Sequence, residues 1–384
     1  MKKKVKPFLL KIHRILGLVS GAIVLVVALT GCLWAFEEDL REWTQRKYYY
    51  VTPRNAEKVS LDVVGENVKA AFPKEKLTQY RLRSAPGATI FAYTKSEKVI
   101  SVDPYTGAVI AVRTTFSDPL ALLLKIHRTL LLGETGKIII EYNCLVFFLL
   151  VLTGLILWWP DNRRFVKDLF RIKWQAKPAR RNYDLHKVGG FYVNLILVII
   201  SWTGLFFSFD WAKNFTYFVT GSKKPVEKKW KSEYVAGVKP MSLDEALKRS
   251  EPYGVYTWAI VPIPADSLAP VKITLRYPYQ WVRKQNVLQY DAYSRNLLQA
   301  DLYKDYNAGD NLRMANFDLH TGRFFGWPGK ILFFLTGLIT ATLPVTGFLM
   351  WRNRRKKKAK GGRKRVAAGQ SAIGLRLAAL SRKP

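Results

Sequence analysis

Four histidines are spaced through the sequence in a way that suits the binding of a metal or of haem iron. His13, His127, His186 and His320 each precede an apolar run that ends in Thr-Gly. The threonine follows its histidine by 17, 26, 17 and 26 residues, at Thr30, Thr153, Thr203 and Thr346. Imidazole is a common metal ligand, and two imidazoles on opposite sides of one iron can hold a haem. The alternating interval therefore predicts two equivalent pairs of ligands.

The repeat also predicts which histidines pair. His13 and His186 precede the first and third apolar runs, whereas His127 and His320 precede the second and fourth. If equivalent helices meet, each pair can hold one haem. A helix of 17 residues is about 25 Å long, so the two pairs are expected near opposite faces of the membrane. The two haems are then expected one above the other. Alternatively, each haem could be bound by one histidine and a second ligand such as Met314. A zinc site is a weaker interpretation, because no cysteine or acidic residue stands at ligand spacing beside these histidines.

Basic residues beside the histidines are candidate partners for the carboxylates of a haem. Arg14 and Arg128 directly follow a histidine, and Lys187 and Arg323 are their nearest counterparts. A guanidinium group suits a carboxylate because it can donate two parallel hydrogen bonds. Small residues near the first and third histidines would admit either a flat macrocycle or a closely packed helix: Gly17, Gly21, Gly189 and Gly190.

The elements that must position these residues are four apolar runs, at 15–36, 138–159, 188–209 and 331–351. Each reaches the roughly 20 helical residues that cross a hydrocarbon core. Glu141 is the one charged residue within these limits. Because an unpaired charge in lipid is costly, its rarity supports spanning helices. The sequence thus predicts an α-helical integral membrane protein with four transmembrane helices.

Charge predicts the orientation of these helices. The formal net charge is +34, and much of it flanks the apolar runs. The basic segments are the arm 1–14, the loop 160–187 and the tail 352–384. Lysine and arginine in such connections stay cytoplasmic, so both termini are expected in the cytoplasm. The same distribution indicates contact with a lipid bilayer and no nucleic acid.

The two cysteines do not indicate a disulfide framework or a metal cluster, since Cys32 and Cys144 both lie inside apolar runs. They are interpreted as packing residues. The sequence from Leu29 to Cys32 also resembles a lipoprotein cleavage site. However, Thr-Gly ends the other three runs as well, so a shared structural role explains this pair better.

The sequence predicts a small α+β domain in each of the two long segments between the spans, 37–124 and 210–319. Each domain is followed by a predicted interfacial segment, at 125–137 and 320–330. Ser60 and Ser242 are expected to cap a helix in each segment. Alternation predicts strands at 89–93, 99–102 and 108–112 in one segment and at 256–261, 271–277 and 287–290 in the other, with turns at 103–107 and 291–295. The chain is therefore interpreted as a tandem duplication of span, external domain and span.

Together these motifs resemble the PepSY-associated transmembrane family, in the iron-uptake branch that contains inner-membrane ferrisiderophore reductases. The resemblance covers nearly the whole chain. It rests on Ile126-His127-Arg128 with Leu131-Leu132-Gly133-Glu134-Thr135-Gly136, on Leu157-Trp158-Trp159-Pro160, on Asp184-Leu185-His186-Lys187-Val188-Gly189, and on Leu319-His320-Thr321-Gly322-Arg323. It implies two PepSY-like periplasmic domains, two b-type haems, a bacterial inner membrane location and one-electron reduction of a ferric siderophore, which releases Fe(II).

The electron donor and the substrate site are predicted from other features of the sequence. No Gly-rich dinucleotide motif occurs in the cytoplasmic segments, so a separate cytoplasmic reductant or a quinol is expected to supply electrons. The predicted docking rim for the siderophore lies beside the last histidine and comprises Tyr303, Tyr306, the segment Asn311–Asn316 with Arg313, and Arg323. Two alternatives are a siderophore or small-solute permease, because repeated halves are common in transporters, and a non-catalytic PepSY-type regulator.

Overall fold

The computed structural model of the chain describes residues 5–160, 166, 169–225, 228–280 and 282–380, with the backbone alone for 357–380. Parts of the predicted arm, loop and tail lie outside these residues. The chain divides into two compact units. The helical unit comprises Met1–Leu29, Tyr142–Ser201 and Leu335–Pro384, and the sheet unit comprises Thr30–Glu141 and Trp202–Phe334.

The helices in the described residues include four that are long and apolar enough to cross a membrane: Val5–Trp34, Gly133–Trp158, Pro178–Ser208 and Arg323–Lys356. Each helix coincides with one predicted span. The helices begin five to ten residues before the predicted spans, and their last residues lie within five residues of the predicted ends. In chain order the helices are α1 (Val5–Trp34), α2 (Glu37–Thr44), α3 (Arg46–Tyr49), α4 (Leu61–Ala71), α5 (Pro119–Thr129), α6 (Gly133–Trp158), α7 (Pro178–Ser208), α8 (Asp210–Val219), α9 (Leu243–Arg249), α10 (Ala308–Thr321) and α11 (Gly326–Leu380).

Close contacts between the long helices define the helical unit. Val151 on α6 packs with Val193 and Leu197 on α7. A Cβ atom added at Gly21 of α1 would lie 3.3 Å from the Cβ atom of Pro344 on α11. Glycine at this position therefore lets two helices approach closely, which is one of the two roles that the sequence suggested for it.

The sheet unit contains a single antiparallel sheet made of all the strands in the described part of the chain. Its strands are β1 (Leu77–Arg83), β2 (Ile90–Thr94), β3 (Val99–Val102), β4 (Val109–Arg113), β5 (Trp258–Pro262), β6 (Val271–Arg276), β7 (Gln285–Tyr290) and β8 (Leu297–Asp301). Their order is β4-β3-β2-β1-β5-β6-β7-β8. The sequence indicated a separate domain for each half, whereas both halves contribute to one sheet because β1 and β5 pair from Gln79–Pro262 to Arg83–Trp258.

The two halves of the sheet share the same local construction. The hydroxyl of Ser60 accepts a hydrogen bond from Val63 N at the start of α4, and that of Ser242 accepts one from Glu245 N at the start of α9. Each hairpin turn is closed by an aspartate that accepts bonds from the following backbone: Asp103 from Tyr105 N and Thr106 N, and Asp291 from Tyr293 N and Ser294 N. Both predicted caps and both predicted turns are present.

One face of the sheet is covered by α4 and α9 and forms the apolar core. Fully buried members include Val64 of α4, Ala246 of α9 and Ile273 of β6. At about 25 cal/mol per Å² of apolar surface, burial of such side chains contributes on the order of 2 kcal/mol each. This core holds the sheet as a rigid platform, and the opposite face carries polar and aromatic side chains.

Candidate functional site

The structure brings the four histidines together as two pairs, one in each unit. The first pair is His13 on α1 and His186 on α7, with ring centres 6.4 Å apart and ring planes at 87°. The second pair is His127 on α5 and His320 on α10, with ring centres 6.3 Å apart and planes at 70°. Each pair takes one histidine from each half of the sequence, and these are the pairs that the spacing predicts.

Different elements position the two pairs. The first pair projects from two membrane-spanning helices. The second pair lies in the last turns of two short helices, each with a capped start. Asp118 caps α5 by accepting bonds from Leu120 N and Ala121 N, and Asn307 caps α10 by accepting one from Asp310 N. Both short helices end in a left-handed residue, Leu130 with φ of 50° and Gly322 with φ of 76°, so the chain turns sharply after each histidine.

The threonine of a Thr-Gly motif contacts the Nδ1 atom of every histidine. In each case the threonine lies on a spanning helix of the same half of the sequence, and that helix is not the one that carries the histidine. The Nδ1 to Oγ1 distances are 2.9 Å for His13 and Thr153, 3.2 Å for His127 and Thr30, 2.9 Å for His186 and Thr346, and 2.8 Å for His320 and Thr203. The repeated Thr-Gly motif thus has the shared structural role that its repetition suggested.

Hydrogen bonding fixes the tautomer of the first pair. The Thr153 hydroxyl donates to Leu149 O, so its oxygen is left to accept a proton from His13 Nδ1. His186 Nδ1 also lies 3.1 Å from Leu343 O, which can only accept. Both rings therefore carry their proton on Nδ1, and the lone pair that binds a metal is on Nε2.

The glycine of the motif makes room for the imidazole ring. A Cβ atom added at Gly154 would lie 3.5 Å from His13 Cε1, and one at Gly347 would lie 3.5 Å from His186 Cε1. At Gly31 the added Cβ would lie only 2.8 Å from His127 Cε1. The ring of His127 consequently rests directly against the backbone of α1.

The separation of the rings matches two ligands on opposite sides of one iron. With a metal–nitrogen bond of about 2 Å and about 1.1 Å from that nitrogen to the ring centre, trans imidazoles have ring centres about 6.2 to 6.4 Å apart. A tetrahedral metal would bring the same ring centres to about 5 Å. The observed 6.3 and 6.4 Å fit the trans arrangement.

The donor set points to the same kind of group. Within the described ranges, no group of three or more His, Cys, Asp or Glu residues could hold a metal ion. A site with two protein ligands needs the remaining donors from elsewhere, and a porphyrin supplies four equatorial nitrogens. The described residues of each pair thus offer two imidazoles, and a haem would need no third protein ligand.

The predicted partners for haem carboxylates occupy different environments. Arg14 and Arg128 are exposed, and Lys187 is partly exposed. Arg323 is buried, and its Nη1 lies 2.6 Å from Glu38 Oε1 while its Nη2 lies 3.3 Å from Glu37 Oε2. Arg323 is therefore already neutralised by two carboxylates of α2, which distinguishes it from the two exposed arginines.

A buried carboxyl group lies two residues before His320. Burial raises the pKa of Asp318, while the charges of Arg283 and Arg323 oppose that rise. Asp318 Oδ2 also accepts a hydrogen bond from Arg283 N at 3.3 Å. This carboxylate ties α10 to the loop after β6, and it was not identified from the sequence.

The predicted docking rim is only partly a surface. Asn311 and Arg313 are exposed on α10, and Tyr303 and Tyr306 are partly buried against the sheet, where the Tyr306 hydroxyl donates to Gln285 O at 3.2 Å. Asn316 does not fit this rim, because it is buried and donates to Thr203 O at 3.3 Å. Asn316 therefore supports the backbone beside the threonine that contacts His320.

Met314, the alternative second ligand, is buried on α10. The ring that faces His320 is that of His127, and Phe207 packs edge-on against His320 with ring centres 5.5 Å apart. The geometry therefore favours histidine over methionine as the partner of His320.

A family model described as PepSY-associated TM region matches residues 10–354 of the chain. The match includes all four histidines and all four threonines of the two pairs. No curated protein matches the sequence.

Proposed function

The chain belongs to the family of PepSY-associated TM regions, and on that premise we propose that it is a membrane oxidoreductase whose histidine pairs hold two b-type haems. Electrons from a cytoplasmic reductant or quinol enter at the first pair and leave at the second, where a ferric siderophore is reduced and Fe(II) is released. The observation that carries this proposal is the repeated geometry of the pairs, with ring centres 6.3 and 6.4 Å apart and Nδ1 held by threonine.

The residues of the pairs suit electron transfer. A bound haem supplies one-electron chemistry at its iron. His13 with His186, and His127 with His320, would hold the two haems, and each pair offers two imidazoles to one iron. The threonine contacts orient each ring and strengthen the imidazole as a donor. These contacts hold the four rings in place between neighbouring helices.

The orientation of the chain in the membrane and its origin by duplication follow from the same features. We assign the basic arm, loop and tail to the cytoplasm and the sheet unit to the periplasm of a bacterial inner membrane, in accordance with the distribution of lysine and arginine. The equivalent caps, turns and histidine–threonine contacts of the two halves support a tandem duplication. The sheet would then be two PepSY-like halves joined edge to edge.

Purified protein from haem-replete cells is expected to contain about two haems per chain, each six-coordinate and low-spin. Dithionite should produce a sharp α-band, split if the two environments differ. Because the ring planes lie at 87° and 70°, the ferric protein should give strongly anisotropic low-spin signals in electron paramagnetic resonance. A colourless protein from such cells, or one with a high-spin spectrum, would contradict the proposal.

Replacing Thr346 by valine keeps the shape of the side chain and removes the oxygen that contacts His186 Nδ1. Loss of such a supporting bond is expected to weaken haem retention by about 10- to 100-fold and to shift the reduction potential of one haem. The measurement is the rate of haem loss to apomyoglobin together with a redox titration. Thr340→Val is the matched control, since Thr340 is also buried on α11 but donates only to Thr336 O. Equal behaviour of the two variants would show that the threonine contact does not support the ligand.

A further inference from the structure

One face of the sheet carries arginines on its central strands. Arg83 of β1 pairs with Trp258 of β5, and Trp258 pairs with Arg276 of β6, so the three side chains form one row across the sheet. Arg81, two residues before Arg83, lies on the same face in the next row. This group of Arg81, Arg83, Arg276 and Trp258 is called the arginine face. The apolar core against α4 and α9 lies on the other side of the sheet.

The three arginines lack carboxylate partners. None of them forms an ion pair with an acidic residue among those described. Arg83 instead lies over the rings of Tyr50 and Trp258, each at 4.9 Å, and Arg81 lies over Tyr93 at 4.5 Å. Aromatic faces attract guanidinium groups but do not neutralise their charge.

Some hydrogen-bond donors of these arginines are also unused. Arg83 Nη1 and Arg276 Nε are buried and have no hydrogen-bond partner in the part of the chain that is described. A buried donor without an acceptor is costly, particularly in a charged group. Burial, followed by repulsion from Arg283 and Arg81, lowers the pKa of Arg276 to about 10. The charges of Glu38 and Asp318 offset this lowering only in part, so the cluster carries positive charge that no ion pair neutralises.

Other arginines of the sheet unit show how such a charge is normally compensated. Arg41 and Arg113 both approach Asp118, and Arg323 pairs with two glutamates. Arg283 lies 3.8 Å from Asp318. The arginine face lies near the second pair, because Arg276 is close enough to Arg283 to be repelled by it and Arg283 contacts Asp318, two residues before His320.

We propose that the arginine face binds an anionic ligand with planar aromatic or carboxylate groups. On the proposed function, on which this inference depends, that ligand is the ferric chelate itself. The chelate is then one that keeps a net negative charge, with catecholate or carboxylate donors, rather than a neutral trihydroxamate. Guanidinium groups donate to such oxygens in pairs, and Trp258 offers a flat surface on which a catechol ring can stack.

Redox-inert gallium(III) complexes test binding without electron transfer. The full-length protein in detergent is titrated with gallium tris-catecholate, which is anionic, and with a neutral gallium trihydroxamate, while tryptophan fluorescence and heat are recorded. The anionic complex is expected to bind at least about tenfold more tightly than the neutral one, and its binding should weaken as salt is added.

Arg276→Gln and Arg81→Gln are each expected to weaken binding of the anionic complex by about tenfold or more, since each removes a charged hydrogen-bond donor. Lys272→Gln is the matched control. Lys272 lies on the same face of the same strand but is exposed and about 13 Å from Arg276 at 3.3 Å per residue. The Lys272→Gln substitution removes the same charge as Arg276→Gln, but it should change the affinity for the anionic gallium complex by less than about twofold. Neither arginine substitution should lower the melting temperature, because both relieve repulsion.

Three results would overturn the inference: equal affinity for the two gallium complexes, equal effects of Arg276→Gln and Lys272→Gln, or loss of haem rather than of chelate binding in Arg276→Gln. The last result would assign these arginines to haem carboxylates. Failure of the proposed function is separate, since a protein without haem that still bound the anionic gallium complex would refute electron transfer alone.

Discussion

Replacement of His320 by alanine is expected to lower the haem content from about two per chain to about one and to reduce the rate of ferric chelate reduction to background. The substitution removes one of the two histidines proposed to hold the second haem. His13 and His186 lie in the helical unit and keep their own threonine partners, so their haem should remain. Haem content is measured by the pyridine haemochrome assay, and the remaining haem is identified by redox titration.

Added imidazole provides a sharper version of this test. It can enter the space left by the missing ring and supply the lost ligand, so it should restore part of the second haem signal to His320→Ala. Asn311→Ala is the control on the same helix, because Asn311 is exposed and should retain both haems. If His320→Ala emptied the first pair instead, or if haem content were unchanged, the assignment of His320 as a ligand would be wrong.

The histidine pairs were predictable because repetition carried the information. A spacing that recurs in two halves identifies equivalent positions even when each histidine alone is ambiguous. The threonine contacts were not predictable in the same way. Thr30 lies 17 residues after His13 on the same helix but contacts His127, which lies 97 residues away. The partner lies on a different helix, and only the tertiary arrangement brings the end of the first span beside the histidine that precedes the second.

The sheet shows where local patterns fail. Strands β2 to β7 were predicted at or near their observed positions, but β1 and β8 were not. In β1, the polar residues Gln79, Arg81 and Arg83 alternate with Tyr80 and Leu82, a pattern typical of a half-buried strand that went unused. This strand joins the two halves of the sheet. Pairing between β1 and β5 is a long-range event that no local sequence window contains.

The docking rim was predicted from proximity in sequence to His320. This prediction is wrong for Asn316, because residues close in sequence lie on different faces of α10. Asn316 precedes His320 by four residues, so both lie on the same face of α10. That face is turned toward α7, where Asn316 contacts Thr203 O. Asn311 and Arg313 lie on the exposed face. Sequence distance alone could not separate these two faces because the start of α10, at Ala308, was not predicted.

Gly31→Ala is expected to abolish haem binding at the second pair although it adds only one methyl group. The new Cβ would lie 2.8 Å from His127 Cε1 and 3.2 Å from Nδ1, closer than side chains tolerate. The ring cannot simply withdraw, because its Nδ1 contacts Thr30 Oγ1 and the ring of His320 lies beside it, with ring centres 6.3 Å apart. The expected result is loss of about one haem per chain, measured by the haemochrome assay and by disappearance of one component from the redox titration.

Gly154→Ala and Gly347→Ala provide matched controls at the first pair. Their added Cβ atoms would lie 3.5 Å from His13 Cε1 and His186 Cε1, which is ordinary van der Waals contact, so both haems should be retained. In all three variants alanine favours the helix over glycine by about 1 kcal/mol. A loss of haem confined to Gly31→Ala therefore cannot come from a weakened helix. Retention of both haems in Gly31→Ala, or equal losses in all three variants, would contradict the close approach of His127 to α1.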